Sequence, residues 1–197
     1  MRLFLSMAGL VALTALTVGI RAEPINFSTD TFEIIGGIST EQPQTRSNYK
    51  GKEIVDFKTS LVPGSIIIRT SERKLYYILP AGRAIQYGIG VGREGFTWSG
   101  TDKITRKAEW PDWRPPREMI EREADRGNYI PVHMAGGPDN PLGARALYIG
   151  STMYRIHGTN QPWSIGLAVS SGCIRLLNEE VIDLFDRVEI GAEVVVE

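Results

Sequence analysis

Residues 65–79 read SIIIRTSERKLYYIL, so two apolar runs lie on either side of the polar triplet Ser71-Glu72-Arg73. Short runs rich in isoleucine, leucine and tyrosine favour strands, and a polar break between two of them is typical of a β-hairpin. Pro80-Ala81-Gly82 then predicts a turn, and residues 84–91 predict a third strand. This stretch therefore predicts a β-rich domain.

The same analysis extends over residues 52–197. Further strands are predicted at residues 54–57, in a second hairpin of residues 146–149 and 153–157, and at residues 193–196. Residues 96–145 are rich in Trp, Pro and Gly and predict irregular chain, interrupted by one helix at about residues 116–124. Asn178 predicts the N-cap of a second helix, whose apolar residues recur at helical spacing. The expected fold class is mainly β, like a sandwich or barrel, with two short helices.

Composition argues against several classes of function. The 197 residues carry 22 Lys and Arg against 23 Asp and Glu, a net charge of -1, so no nucleic-acid partner is expected. The 21 glycines and 11 prolines favour turns and short strands over a helix bundle. A single cysteine excludes an internal disulfide, and with two histidines it provides only three of the four usual ligands of a closed zinc site.

The N-terminus indicates export. Arg2 precedes an apolar run from Leu3 to Ile20, which predicts either a cleaved signal peptide or a membrane anchor within residues 1–22. Residues 23–51 are polar and predict an arm or linker. We therefore expect a periplasmic or otherwise exported bacterial protein, held at the inner membrane if the segment is not cleaved.

Residues 90–95, GVGREG, match the dinucleotide-binding string G-x-G-x-x-G. That motif needs a following helix whose N-terminus holds the pyrophosphate, and residues 96–100, FTWSG, begin no helix. We therefore interpret these glycines as turn or bulge positions and expect no cofactor.

The lone cysteine lies in Ser170-Ser171-Gly172-Cys173-Ile174-Arg175. Small residues before Cys173 allow a sharp turn that directs the amides of Gly172 and Cys173 at an oxyanion. A thiol nucleophile also needs a base, and His157 ends a predicted strand that opens into a glycine loop. The alternatives are a structural His157, an inert buried thiol, or a metal site formed by both histidines, the cysteine and a carboxylate.

Together, His157-Gly158-Thr159-Asn160 and Ser170–Arg175 resemble the active-site signature of the L,D-transpeptidase family, the YkuD-type catalytic domain. The resemblance covers about residues 63–197. It implies a β-rich fold, with Cys173 as nucleophile and His157 as catalytic histidine. The candidate substrate contacts are Arg175, Ser171, Ser170, Gly158, Thr159 and His133. For Arg175 the alternative is a solvated or structural arginine.

The resemblance also implies the chemistry. Such enzymes cleave the L,D bond before the terminal D-Ala of a peptidoglycan tetrapeptide stem, form a cysteine thioester and pass the acyl group to an amine. The implied acceptor is a second stem peptide or a lysine of an envelope lipoprotein. The alternatives are an L,D-carboxypeptidase that uses water, and a non-catalytic wall-binding module.

One position departs from the family pattern. Many members carry histidine between the serine and the glycine, where this chain has Ser171. A mechanism that needs two imidazoles is therefore not expected here.

Overall fold

The computed structural model describes Tyr49 and residues 51–93, 98–170 and 172–197. The signal or anchor predicted at residues 1–22, and most of the predicted arm, lie outside these ranges. The described strands are β1 (Glu53–Asp56), β2 (Ile66–Arg69), β3 (Lys74–Leu79), β4 (Arg83–Gly88), β5 (Val91–Gly92), β6 (Gly100–Glu109), β7 (Arg145–Ile149), β8 (Arg155–His157), β9 (Ala168–Ser170), β10 (Ile174–Arg175) and β11 (Glu193–Val196). The helices are α1 (Arg117–Ala124) and α2 (Asn178–Arg187). Within the described ranges neither helix is long and apolar enough to cross a bilayer.

Nine of these strands form one sheet in the order β1-β4-β3-β2-β11-β6-β7-β8-β10. Most neighbours are antiparallel, but β11 runs parallel to β2 and β10 runs parallel to β8. Gly90, two residues after β4, exchanges two backbone hydrogen bonds of 2.9 Å with Arg175 of β10. The sheet therefore curls until its last strand meets the chain that follows β4, with β5 and β9 paired beside this junction.

The main core lies inside this curl and is closed by α2. Alternate residues of the strands point inward, as the period of two along a strand requires. Complete burial of each aliphatic side chain stabilises the fold by roughly 1.5–3 kcal/mol. The fully buried members include Ile66, Ile68, Leu75, Leu147, Ile156, Val181 and Leu184.

The structure confirms the expected fold class and both predicted hairpins, which appear as β2–β3 and β7–β8. It also confirms the two helices and the closing strand. The third predicted strand is shorter than expected, because β4 ends at Gly88 and β5 follows after the bridge at Gly90.

The prediction that residues 96–145 are irregular is wrong for β6, a strand of ten residues. Ile104 is the one fully buried side chain of β6, so no apolar alternation marks the strand in the sequence. Its conformation comes from pairing on both sides, with β11 and with β7. Tertiary pairing therefore decides this element against a weak local pattern.

The predicted boundary at residue 52 lies slightly inside the folded part. The ring of Tyr49 packs where a side chain on Gly88 would stand, and its hydroxyl donates a 2.6 Å hydrogen bond to Glu180 of α2. The end of the predicted arm therefore contacts the domain.

Candidate active site

The parallel pair β8–β10 brings the two candidate catalytic residues to one face of the sheet. Ile174 lies opposite Ile156 and Arg175 lies opposite His157. Both isoleucines are buried in the core, so alternation places Cys173 on the opposite face together with His157. Cys173, directly before β10, and His157 are therefore diagonal neighbours. The hydrogen bond that the structure gives the Cys173 sulfur runs to the carbonyl oxygen of Met153, at 3.9 Å, so proton transfer to His157 requires the thiol to turn from this carbonyl.

His157 is held by the chain that follows it. The side chain is 4% exposed, and Nδ1 lies 2.6 Å from the carbonyl oxygen of Gly158. A carbonyl only accepts, so Nδ1 donates the hydrogen and Nε2 keeps the lone pair. The main chain thus fixes the tautomer, as the carboxylate does in a catalytic triad.

The electrostatics favour a neutral resting pair. Burial, and then the positive charge of Arg175, lower the pKa of His157 to about 3, although the nearby carbonyls of Gly158 and Leu142 oppose this shift. Burial raises the pKa of the Cys173 thiol, an effect that Arg155 and Arg175 partly offset. At neutral pH the free site therefore holds a protonated thiol and an uncharged imidazole on one face of the sheet, and the imidazole is in the form that can accept a proton.

Ser170 shapes the turn that carries the nucleophile. Its hydroxyl donates to the Cys173 carbonyl at 2.7 Å and accepts from the Gly172 amide at 3.2 Å, and the residue is 2% exposed. Gly172 has a φ of 109°, a conformation that L side chains rarely adopt. The Gly172 amide thus donates to the Ser170 hydroxyl in this structure. To bind an oxyanion, as predicted, the amide must release Ser170 and donate to the oxyanion instead.

Asn178 positions the loop beside His157, a role that the sequence did not suggest. The predicted N-cap is wrong, because Leu177 occupies that position and makes no side-chain cap. The Oδ1 atom of Asn178 instead accepts hydrogen bonds from the amides of Ala144 and Thr159, at 3.0 Å and 3.2 Å. A β-carbon on Gly158 would stand 2.2 Å from this oxygen, so only glycine fits there. The asparagine therefore fixes the backbone whose carbonyl orients His157.

The positive charges of Arg155 and Arg175 act on the Cys173 thiol. Arg175 has its Nε buried without a hydrogen-bond partner, and its Nη1 reaches the side-chain oxygen of Gln161 only at 3.4 Å. Arg93, whose charge acts on Arg175, also has a buried and unpartnered Nε. Among the described residues neither guanidinium has a carboxylate within 4.0 Å, so an anionic ligand fits here. Arg93 was not among the predicted site residues, because the string that contains it was interpreted through its glycines alone.

The remaining candidate residues lie in different places. Thr159 is 3% exposed and accepts from the Gln161 amide at 3.0 Å, so its contacts are internal. His133 lies in an exposed loop, with Nε2 3.1 Å from Asp112. Ser171 lies outside the described residues. In the part of the chain that the structure describes, no three or more His, Cys, Asp or Glu side chains are grouped to hold a metal ion.

Gly90 of the dinucleotide-like string has a packing role. A β-carbon on Gly90 would stand 2.8 Å from the carbonyl oxygen of Ser164, and Gly92 belongs to β5. Gly95 lies outside the described residues, and the described residues between β5 and β6 form no helix.

Comparison with known proteins identifies the family. A family model described as the L,D-transpeptidase catalytic domain, YkuD, matches residues 63–196. The probable L,D-transpeptidase ErfK/SrfK of Escherichia coli is 41% identical over 134 residues, which cover 66% of this chain and 42% of that protein. The chain thus spans less than half the length of the first curated relatives that it matches.

Two solved structures are similar. A Brucella melitensis protein described as a probable carnitine operon oxidoreductase, CaiA, is 43% identical, with a TM-score of 0.52 over 79% of this chain and 99% of that one. An Enterococcus faecium L,D-transpeptidase is 16% identical, with a TM-score of 0.51 over 70% of this chain and 50% of that one, which shows the fold alone. The family match spans both His157, at the end of β8, and Cys173, directly before β10. The chain therefore belongs to the L,D-transpeptidase catalytic domain family.

Proposed function

We propose that this chain is a cysteine-dependent L,D-transpeptidase that acts on peptidoglycan tetrapeptide stems. The observation that carries the proposal is the β8–β10 register, which puts Cys173 and His157 on one face while the Gly158 carbonyl holds Nδ1. A thiol with a buried, oriented imidazole beside it and cationic groups around it is suited to acyl transfer.

Acylation begins with the neutral pair. The Cys173 sulfur attacks the carbonyl carbon of the third stem residue, and Nε2 of His157 takes the thiol proton. The oxyanion is stabilised by backbone amides of the nucleophile turn; loss of one such donor costs about 3–4 kcal/mol in comparable enzymes. The C–N bond then breaks, and His157 returns the proton to the nitrogen of the departing D-Ala.

Deacylation repeats the sequence with an amine. His157 removes a proton from the amine nitrogen, which attacks the thioester carbon. The C–S bond breaks, and the sulfur recovers its proton from the imidazolium. The product is a new amide, either a cross-link between two stems or a bond to a lipoprotein lysine. The same thioester hydrolyses when water attacks, which would make the protein an L,D-carboxypeptidase.

Arg175 and Arg93 are proposed to bind a carboxylate of the donor stem. Both guanidiniums have a buried Nε without a partner, and leaving a buried donor unpaired costs free energy. A carboxylate would satisfy both while it orients the scissile carbonyl toward the sulfur. Ser171, Gly158, Thr159 and His133 remain candidate substrate contacts under this proposal.

Export belongs to the same proposal, since the substrate lies outside the cytoplasm. Its support is the apolar run of residues 3–20 behind Arg2, followed by the polar segment that begins at Arg21. Mass spectrometry of the N-terminus of the mature protein tests it. A mature protein that begins near residue 23 indicates a cleaved signal, and one that begins at Met1 indicates an anchor.

The decisive experiment follows the thiol by mass. Purified protein is incubated with a disaccharide-tetrapeptide, with and without an amine acceptor, and separately with a carbapenem β-lactam. We expect covalent carbapenem labelling and loss of D-Ala in the native protein but neither in Cys173→Ala, while Ser151→Ala, in the exposed turn before β8, behaves as native. Hydrolysis product alone would indicate a carboxypeptidase. Absence of any acylation would contradict the enzymatic proposal and favour a wall-binding module.

A further inference from the structure

An open groove lies beside the nucleophile, on the outer face of the sheet. Its volume is about 460 Å³, and its walls come from β6, the loop after β6, β7 and β8. Arg155 lines the groove and also acts electrostatically on the Cys173 thiol, so one end of the groove lies near the nucleophile. None of the described residues between Ser170 and Arg175, Cys173 included, lines it.

The sheet register arranges the groove floor as a row that ends at the nucleophile. Arg106 of β6 lies opposite Tyr148 of β7, which lies opposite Arg155 of β8. The next position in this row, beyond Arg155, is Cys173, since Ile174 pairs with Ile156. A register shift between Ile104 and Arg106 turns the side chain of Arg106 from the core side to this outer face.

Two guanidinium groups flank one aromatic ring in this row. The Cζ atom of Arg106 lies 3.5 Å from the ring centroid of Tyr148, and that of Arg155 lies 5.5 Å from it. The ring holds both groups in place. The Nε atom of Arg155 also donates to the Met153 carbonyl at 3.4 Å, which leaves its two Nη groups, and the guanidinium of Arg106, for another partner. Among the described residues neither arginine has a carboxylate within 4.0 Å.

Two acids also line the groove, but both have other partners. Glu109 pairs with Arg145 at 3.2 Å, and Asp112 contacts His133 at 3.1 Å and also interacts electrostatically with Arg114. Arg106 and Arg155 therefore remain the groove's guanidinium groups without a carboxylate partner among the described residues, which is the chemistry of a carboxylate site.

We propose that this groove is the acyl-acceptor subsite and that Arg106 and Arg155 select amines that carry free carboxylates. The inference rests on the proposed transpeptidase activity and specifies its acceptor. The donor carboxylate already has candidate partners in Arg175 and Arg93, so the groove is left for the second substrate. Neighbouring strands lie about 4.8 Å apart. A peptide that runs from Arg106 toward the sulfur crosses β7 and β8, so several of its residues lie along the groove.

The two arginines have separate effects on the acceptor. Attack on the thioester needs a neutral amine, and the positive charge of Arg155 near the sulfur disfavours an ammonium ion. A carboxylate on the same molecule binds Arg106, further along the row, and holds the acceptor in the groove. The step is the one described above: the C–N bond forms, the C–S bond breaks, and His157 carries the proton from nitrogen to sulfur.

The test measures partition of the thioester between amine and water. Two acceptors are compared, a diaminopimelate-containing stem peptide and a peptide with a C-terminal lysine. Each is used in two forms, one with free carboxylates and one in which the carboxylates are converted to amides. The variant is Arg106→Gln, and the matched control is Arg83→Gln, an exposed arginine of β4 on the other half of the sheet. We expect the native protein to use the free acids at least about fivefold better than the amides, and Arg106→Gln to reduce this preference severalfold.

Carbapenem labelling and hydrolysis of the donor should be unchanged in Arg106→Gln, and Arg83→Gln should match the native protein throughout. The two acceptor peptides distinguish stem cross-linking from lipoprotein attachment. Equal preference in native and Arg106→Gln proteins would overturn the inference, as would a raised KM for the donor alone, since the groove would then bind the donor. A protein that is acylated but uses only water also overturns it. Failure of acylation itself refutes the proposed function first.

Discussion

Two polar clusters of the domain are built in opposite ways. Around Asp183 the charges are neutralised: the carboxylate accepts from Arg187 at 2.9 and 3.0 Å and from Tyr87 at 2.6 Å, and Lys52 lies 2.6 Å away. Around Cys173 the positive charges of Arg93, Arg155 and Arg175 have no carboxylate among the described residues.

The Asp183 cluster stabilises the folded state, whereas the charges near Cys173 are suited to binding a ligand. In the Asp183 cluster, hydrogen bonds from Arg187 hold the pKa of the carboxyl well below its usual range, so the folded state gains from the ionised form. Near Cys173, burial and Arg175 instead lower the pKa of His157, so the fold tolerates an unfavourable field there. Uncompensated charge at such a site lowers the free energy of unfolding, and binding of an anionic ligand offsets this loss.

The largest effect is expected when the proposed base, His157, is replaced. His157→Asn should lower the rate of D-Ala release by about 10²–10⁴-fold, because proton transfer to and from the sulfur loses its relay. Release of D-Ala from a tetrapeptide measures the loss. The melting temperature should stay near the native value, since asparagine can still donate to the Gly158 carbonyl. Activity within tenfold of native would mean that His157 is only structural.

The N-terminal end of α2 provides the second test. Asn178→Ala leaves two amides, those of Ala144 and Thr159, without their acceptor. Unpaired buried donors cost about 1–3 kcal/mol each, so for two amides we expect a loss of roughly 2–6 kcal/mol in the free energy of unfolding. Denaturant titration measures it. Asn178→Asp keeps an acceptor oxygen and should recover much of the loss; equal destabilisation by both variants would contradict the positioning role.

The motifs around His157 and Cys173 suggested these residues from the sequence, through their combined resemblance to the family signature. Their catalytic roles stay a prediction, and the fold adds that both lie on one face of the sheet. The parallel pairing of β10 with β8, which aligns them, could not be found, because a strand of two residues has no periodicity.

The contacts of residues that position other residues could not be predicted from the sequence either. Asn178 looks like a helix cap, since asparagine before an amphipathic run is a typical start signal, and only the folded chain shows which amides it reaches. The outward turn of Arg106 depends on a register shift between β6 and β7. A strand with one buried side chain carries no pattern from which that shift can be read.

The Asp183 cluster is expected to respond through stability rather than activity. Asp183→Asn removes the charge that Arg187 and Lys52 face, and should cost about 1–3 kcal/mol, the range for hydrogen bonds to charged groups. The folded-state pKa of this aspartate is depressed, so its contribution is present above about pH 4, the pKa of an unfolded aspartate, and is lost as the pH falls below it. Unfolding curves at pH 7 and pH 3 should therefore differ less in the variant than in the native protein. Carbapenem labelling should be unchanged, and a labelling defect would connect the two clusters.

The smallest expected effect concerns the charge beside the sulfur. Arg155 lowers the pKa of the Cys173 thiol against the larger effect of burial. Arg155→Gln should therefore raise that pKa and slow alkylation of the thiol by about 3- to 10-fold at pH 8, where one pKa unit corresponds to a tenfold change in thiolate. The rate of iodoacetamide modification between pH 7 and pH 10 measures this, with Arg83→Gln as the control. The alkylation curve should move to higher pH without a change in its plateau, because access to the sulfur is retained. A lower plateau at unchanged midpoint would instead mean that Arg155 acts by shaping the groove, and the field around the thiol would then come from Arg175.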